Sequence, residues 1–156
     1  MKTLCLYYSR TNLTKSAMEE LAKILDADLM EYTDGKDRKG FWGYIGACID
    51  SMKKTLPKVT IQGSPDFGSY DRVLIGMPVW VEGPSIVGRA LIKQYGQALP
   101  GDVYYVVTHM AENDYLKKIK AMDSLLGRPS KGQVSLRTKD NDYLGEIRAF
   151  GNELMR

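Results

Sequence analysis

The chain has 156 residues, 44% hydrophobic and 26% charged, with 22 Lys and Arg against 19 Asp and Glu, a net charge of +3. Such a length and apolar share predict one ordinary domain, residues 1–156, with its own core, and exclude a disordered or low-complexity chain. The charge is too small, and the Lys and Arg too scattered, for a nucleic-acid surface, and no apolar run approaches the roughly 20 residues of a membrane span.

In chain order, the apolar run Leu4-Cys5-Leu6-Tyr7-Tyr8 places a first strand over 2–8. Its opening is too short for a secretory signal, so a cytoplasmic location is expected. A hydroxyl-rich turn from Ser9 to Thr14 follows, with Thr11 or Asn12 as candidate N-cap. Ala17, Met18, Leu21, Ala22, Ile24 and Leu25 then recur at helical spacing and predict a helix over 13–25. Residues 28–32 alternate and read as a second strand. The charged run Lys36-Asp37-Arg38-Lys39 reads as a solvated loop. Phe41, Trp42, Tyr44, Ile45, Cys48, Ile49 and Met52 suggest a second helix over 41–54, which Pro57 ends. Residues 58–69 are punctuated by Gly63, Pro65 and Gly68 and read as irregular or edge-like.

Val73 to Met77 is apolar on both faces, as a central parallel strand should be. It is expected to end in a loop, Pro78 to Pro84. A helix over 86–95, a strand over 103–107 and a loop at Thr108-His109-Met110 come next. A helix over 115–126, a strand over 133–138 and a helix over 142–155 complete the chain. Strict alternation of strand and helix implies a three-layer α/β/α sandwich with a parallel sheet and right-handed crossovers. Ligands in such sheets bind beyond the carboxyl ends of the strands, here 9–14, 78–84 and 108–115.

The first loop carries neither a G-x-G-x-x-G turn nor a Gly-rich Lys loop, which argues against a dinucleotide. Hydroxyls and free backbone N–H groups at a helix start suit a single phosphate, although Ser, Thr and Asn also simply cap helices. In the second loop Trp80 offers a flat face for a planar ring, or else plugs the sheet end. Glu82 and Gly83 complete that loop. The third loop holds the only histidine, His109, with Asn113 and Tyr115 nearby. Cys5 and Cys48 lie in no metal-ligand pattern and read as free thiols, and no metal is expected. The three loops describe a slot for a planar heterocycle joined through a polyol to one phosphate.

At this point the chain resembles the flavodoxin family. The likeness is carried by Tyr8-Ser9-Arg10-Thr11-Asn12-Leu13-Thr14-Lys15, by Tyr70-Asp71-Arg72 to Pro78-Val79-Trp80, and by the stretch Asp34 to Pro57. The element order extends the likeness to the whole chain, in its short form. The resemblance implies a five-stranded parallel sheet of order 2-1-3-4-5 and noncovalent FMN as cofactor. It assigns Ser9, Thr11 and Thr14 to the phosphate loop, Pro78, Val79 and Trp80 to the loop flanking the isoalloxazine, and Thr108 and His109 to the third flavin loop. With their neighbours Arg10, Asn12, Leu13, Val81, Glu82 and Gly83 these form the candidate cofactor-binding set; no catalytic residue is assigned. Leu13 departs from the small polar residue expected there, and the positive charge departs from the acidic character of electron carriers.

The function expected is an FMN-binding redox protein, an electron carrier before an enzyme, exchanging electrons with a partner protein or a small acceptor and with neither nucleic acid nor membrane. Glu82, if close to the ring, would disfavour an anionic reduced flavin. Two alternatives stay open: a domain that has lost flavin and serves as an interaction module, and an FMN-dependent NAD(P)H:quinone-type reductase. A phosphoacceptor receiver of this fold would need an acidic pair after the first strand, where Leu6, Tyr7 and Tyr8 stand.

Overall fold

A computed structural model describes residues 1–52 and 55–156. In chain order the elements are β1 (Thr3–Tyr7), α1 (Leu13–Leu25), β2 (Asp28–Thr33), α2 (Gly40–Ser51), β3 (Thr60–Ile61), β4 (Arg72–Trp80) and β5 (Gly83–Pro84). They continue with α3 (Ile86–Tyr95), β6 (Asp102–His109), α4 (Leu116–Lys120), α5 (Asp123–Leu126), β7 (Gly132–Arg137) and α6 (Tyr143–Leu154). The parallel strands run β2-β1-β4-β6-β7 across the sheet, the expected order 2-1-3-4-5. Two short antiparallel additions enlarge the expected five strands: β3 on the edge of β2, and β5 folded back on β4.

Alternation along each strand explains the layers. Leu4, Leu6, Val73, Ile75, Val103, Tyr105 and Val107 point to the face covered by α3 and the short helices α4 and α5. Cys5, Tyr7, Leu74, Val106 and Leu136 point to the other face, under α1 and α6. Burial pushes the Cys5 thiol up to about 12, with partial relief from Arg72, so it stays protonated. At the amino-terminal end of the sheet the buried Arg72 guanidinium donates to Thr3 Oγ1 at 2.8 Å and to the Leu154 carbonyl at 2.8 Å. This ties β1, β4 and the C-terminal helix together at the end opposite the strand tips.

Several expectations are corrected. Pro78, Val79 and Trp80 continue β4 instead of starting a loop, and Thr108 and His109 belong to β6. Proline is tolerated because Pro78 sits where β4 starts to leave its neighbours; its carbonyl accepts from the Ser85 N–H at 2.9 Å. The helix expected over 115–126 is split into α4 and α5, because bonds of the tighter i to i−3 kind, Met122 N–H to Ile119 and Ser124 N–H to Ala121, interrupt it. The last two residues of the helix expected over 41–54 lie outside the described residues. Asn12 occupies the cap position of α1, but in the left-handed region at φ 66° and with no side-chain cap.

Close approach of α1 to the sheet depends on Gly76: a Cβ there would overlap Met18 Cγ and come within 2.6 Å of its Sδ. Gly76→Ala is expected to lower unfolding stability by about 1–3 kcal/mol in urea titrations. Gly101→Ala, where an added methyl meets nothing within 4 Å, should stay within about 0.5 kcal/mol of the parent.

Candidate functional site

A cavity of about 240 Å³ opens where β1, β4 and β6 end. Of the residues expected from sequence, Arg10, Thr11, Leu13, Thr14, Pro78, Val79, Trp80, Val81, Thr108 and His109 line it. Four do not. Ser9 faces an adjacent depression with Lys36 and Arg38. Asn12 is exposed and does not line this cavity. Glu82 and Gly83 line a second cavity on the far side of the β4–β5 turn. Glu82 is itself paired with Lys118 at 3.5 Å and is 83% exposed, so the repulsion expected of it toward a ring in the first cavity is not supported.

One end of the cavity is polar. The Asn12 side chain caps nothing, so the first-turn N–H groups of α1 have no partner from that side chain. Arg10 stands beside them. Thr14 Oγ1 and Thr108 Oγ1 lie 2.7 Å apart, both buried, joining the start of α1 to the end of β6. A hydroxyl has one proton, so the member of this pair that accepts keeps its own proton free to donate elsewhere. Ser9 Oγ is buried with no hydrogen-bond partner.

The other end is apolar. Trp80 reaches it, but not as an open platform: the ring is 8% exposed. Tyr8 meets it edge-on at 5.7 Å, and the Arg38 guanidinium lies 5.0 Å from its centroid. The expected stacking face is thus largely taken up within the protein, and the indole contributes wall. Val81 makes the turn at φ 59°, a strained conformation for a β-branched residue, with its side chain exposed. His109 is held by a 2.8 Å contact from Nδ1 to the Ala111 carbonyl and by Tyr115, whose ring centroid is 4.9 Å away.

The remaining wall comes from α2, which sequence reasoning did not assign to the site: Tyr44, Ala47 and Cys48. The Tyr44 ring lies 5.5 Å from the Arg10 guanidinium, a cation–π contact at the cavity mouth. The large apolar residues of α2 do not form its buried face. Phe41, Trp42, Tyr44 and Ile49 are exposed, as is Met52 just beyond the helix, whereas Gly43, Ala47 and Asp50 are buried. Gly43 explains the inversion, since a Cβ there would overlap the Arg38 backbone.

Arg38 is the residue that α2 packs on, and it is buried, which corrects the solvated-loop reading at that one position; Lys36, Asp37 and Lys39 are exposed as expected. It donates twice to Asp34, at 2.6 and 2.7 Å, and to Asp50 Oδ2 at 2.6 Å, which also accepts from Lys36 at 3.0 Å. Burial alone would weaken its hold on the proton, but the bonds to Asp34 and Asp50 outweigh that and keep it charged beyond its ordinary range. The spacing signal was present, an acid four residues before Arg38 and another twelve after, yet it does not separate a buried pair from surface charges. Thr138, Met110, Ala111 and Tyr115 complete the lining.

No family model and no curated protein matches the chain. Solved structures do. A flavoprotein from Lactobacillus acidophilus NCFM, crystallised in complex with FMN, superposes with a TM-score of 0.70 at 24% identity, covering 92% of this chain and 98% of that one. A protein from Bacteroides eggerthii DSM 20697 gives 0.77 at 18% identity over 99% and 98%. An NAD(P)H:quinone oxidoreductase from Methanothermobacter marburgensis gives 0.56 at 12% identity over 99% and 95%. The fold is therefore flavodoxin-like. Among the described residues no helix is long and apolar enough to cross a membrane, and no cluster of metal-ligating side chains is present.

Truncating Arg38 would leave Asp34 and Asp50 without their buried counter-ion. Arg38→Ala should cost about 3–5 kcal/mol of stability in denaturant titrations. Thiol labelling of the native protein at mildly alkaline pH should modify Cys48 and spare Cys5, which reacts only once unfolded.

Proposed function

We propose that the chain binds FMN in the first cavity and works as a redox protein through it. The observation that carries this reading is the start of α1: a helix N-terminus with no side-chain cap, flanked by Arg10 and Thr11, opens into a cavity whose far wall is apolar and aromatic. Such a terminus favours a dianionic phosphate. Leu13 does not stand in the way, since what the seat takes from it is the backbone N–H. The likeness to an FMN-bound flavoprotein supports the same reading.

On this reading Arg10, Thr11 and the first-turn N–H groups of α1 hold the phosphate, and the Thr14–Thr108 pair orients one hydroxyl toward the ribityl chain. Pro78, Val79, Trp80, Val81, His109 and Tyr115 would line the space for the ring, with Tyr44 at the mouth. When bound, FMN supplies one- or two-electron transfer. The protein excludes water from the apolar end and keeps a cation, Arg10, at the entrance. We take an electron carrier as the finer assignment: the exposed Tyr44, Val81 and Met110 at the mouth suit docking to a macromolecule.

Purified protein titrated with FMN should quench flavin fluorescence, and saturation should protect Cys48 from thiol labelling. Arg10→Gln combined with Thr11→Ala is expected to weaken FMN about tenfold or more while leaving riboflavin nearly unchanged. Equal losses for both ligands, or no binding at millimolar FMN, would exclude the phosphate seat. Sustained NADPH oxidation on addition of a quinone would replace the carrier assignment with a reductase.

A further inference from the structure

The second cavity, about 610 Å³, lies across the β4–β5 turn from the first and shares Trp80 and Val81 with it. Its charged lining is Arg89, Lys118 and Glu82; Met122 and Leu125 add apolar wall. Lys118 and Glu82 neutralise each other at 3.5 Å. Arg89 has no such partner: among the described residues it makes no ion pair, and its Nε is buried without an acceptor.

Local structure does not explain that guanidinium. Arg89 sits in the first turn of α3, where the helix dipole disfavours a cation. The terminus is already capped, since Ser85 Oγ accepts from the Gly88 N–H at 3.1 Å. A partly buried cation without a counter-ion is costly, and an anion that enters with two acceptor oxygens removes that cost through paired, charge-assisted bonds. The rest of the wall selects what the anion is attached to. Met52, Val81 and Leu125 present carbon to the cavity, so a purely polar anion such as inorganic phosphate would leave that surface uncovered, whereas an apolar body would bury it.

We propose that this cavity binds a small organic carboxylate with an apolar body, the carboxylate on Arg89 and the body against Met52, Val81 and Leu125. The site is separate from the flavin cavity and does not rest on the flavin reading. Its position puts a second small molecule on the opposite side of the same indole wall.

The probe is naphthoate, compared with its neutral counterpart naphthylmethanol by isothermal titration calorimetry on the full chain. The acid should bind about tenfold more tightly than the alcohol. Arg89→Gln should abolish that preference. Arg148→Gln, which removes an equal charge from the exposed pair with Glu20 on α1, should retain it. In the unsubstituted protein, amide shifts on adding naphthoate should concentrate at Gly83, Ala121 and Ser124, a readout that holds even if the Arg89 variant does not fold. Equal affinity for acid and alcohol, a preference that survives Arg89→Gln, or shifts centred on Thr11 and Ala111 in the first cavity would each overturn the proposal.

Discussion

Parallel pairing of β1, β4 and β6 is the constraint from which the rest follows. Parallel strands all finish at the same edge, and the helix after each strand must begin there. Register makes this concrete: Leu6 lies beside Ile75 and Ile75 beside Tyr105, so the tips that follow come together. Thr14 and Thr108, ninety-four residues apart, meet at 2.7 Å because of it. The polar end, the apolar wall and the entrance of the first cavity are what three neighbouring strand ends produce when one helix start lacks a side-chain cap.

The buried charge cluster around Arg38 performs a different task. It replaces the apolar packing that usually seats a helix. The face of α2 turned inward carries Gly43, Ala47 and Asp50, too little carbon to hold the helix by burial alone. A guanidinium shared between Asp34 and Asp50 joins the loop after β2 to the far end of α2 and rests on Trp80. Buried ion pairs are poor sources of net stability but strict about geometry. Here that geometry sets where Tyr44 and Cys48 stand relative to the cavity.

Much of this was legible in the residues. Continuous apolar runs marked the parallel strands, 3.6-residue spacing marked α1, strict alternation implied the layered parallel sheet, and the resemblance to flavodoxins implied its strand order. Ten of the fourteen expected site residues do share one cavity. What escaped has physical causes. In α2 the apolar spacing marked a helix but not its buried face: small residues at Gly43 and Ala47 let the backbone approach where no large side chain fits, and periodicity does not show this. The role of Trp80 depended on which neighbours its ring faces, and Tyr8 and Arg38 arrive from distant parts of the chain. Glu82 lay on the wrong side of a turn whose direction is set by Val81 in a conformation that β-branched residues avoid.

That turn has one further consequence. Trp80 and Val81 form a party wall, each presenting one side to the first cavity and another to the second. Wedged between Tyr8 and the Arg38 guanidinium, the indole has little room to move independently of the loop that carries it. The two chambers therefore share a boundary, and the shape of each is set in part by the same two residues.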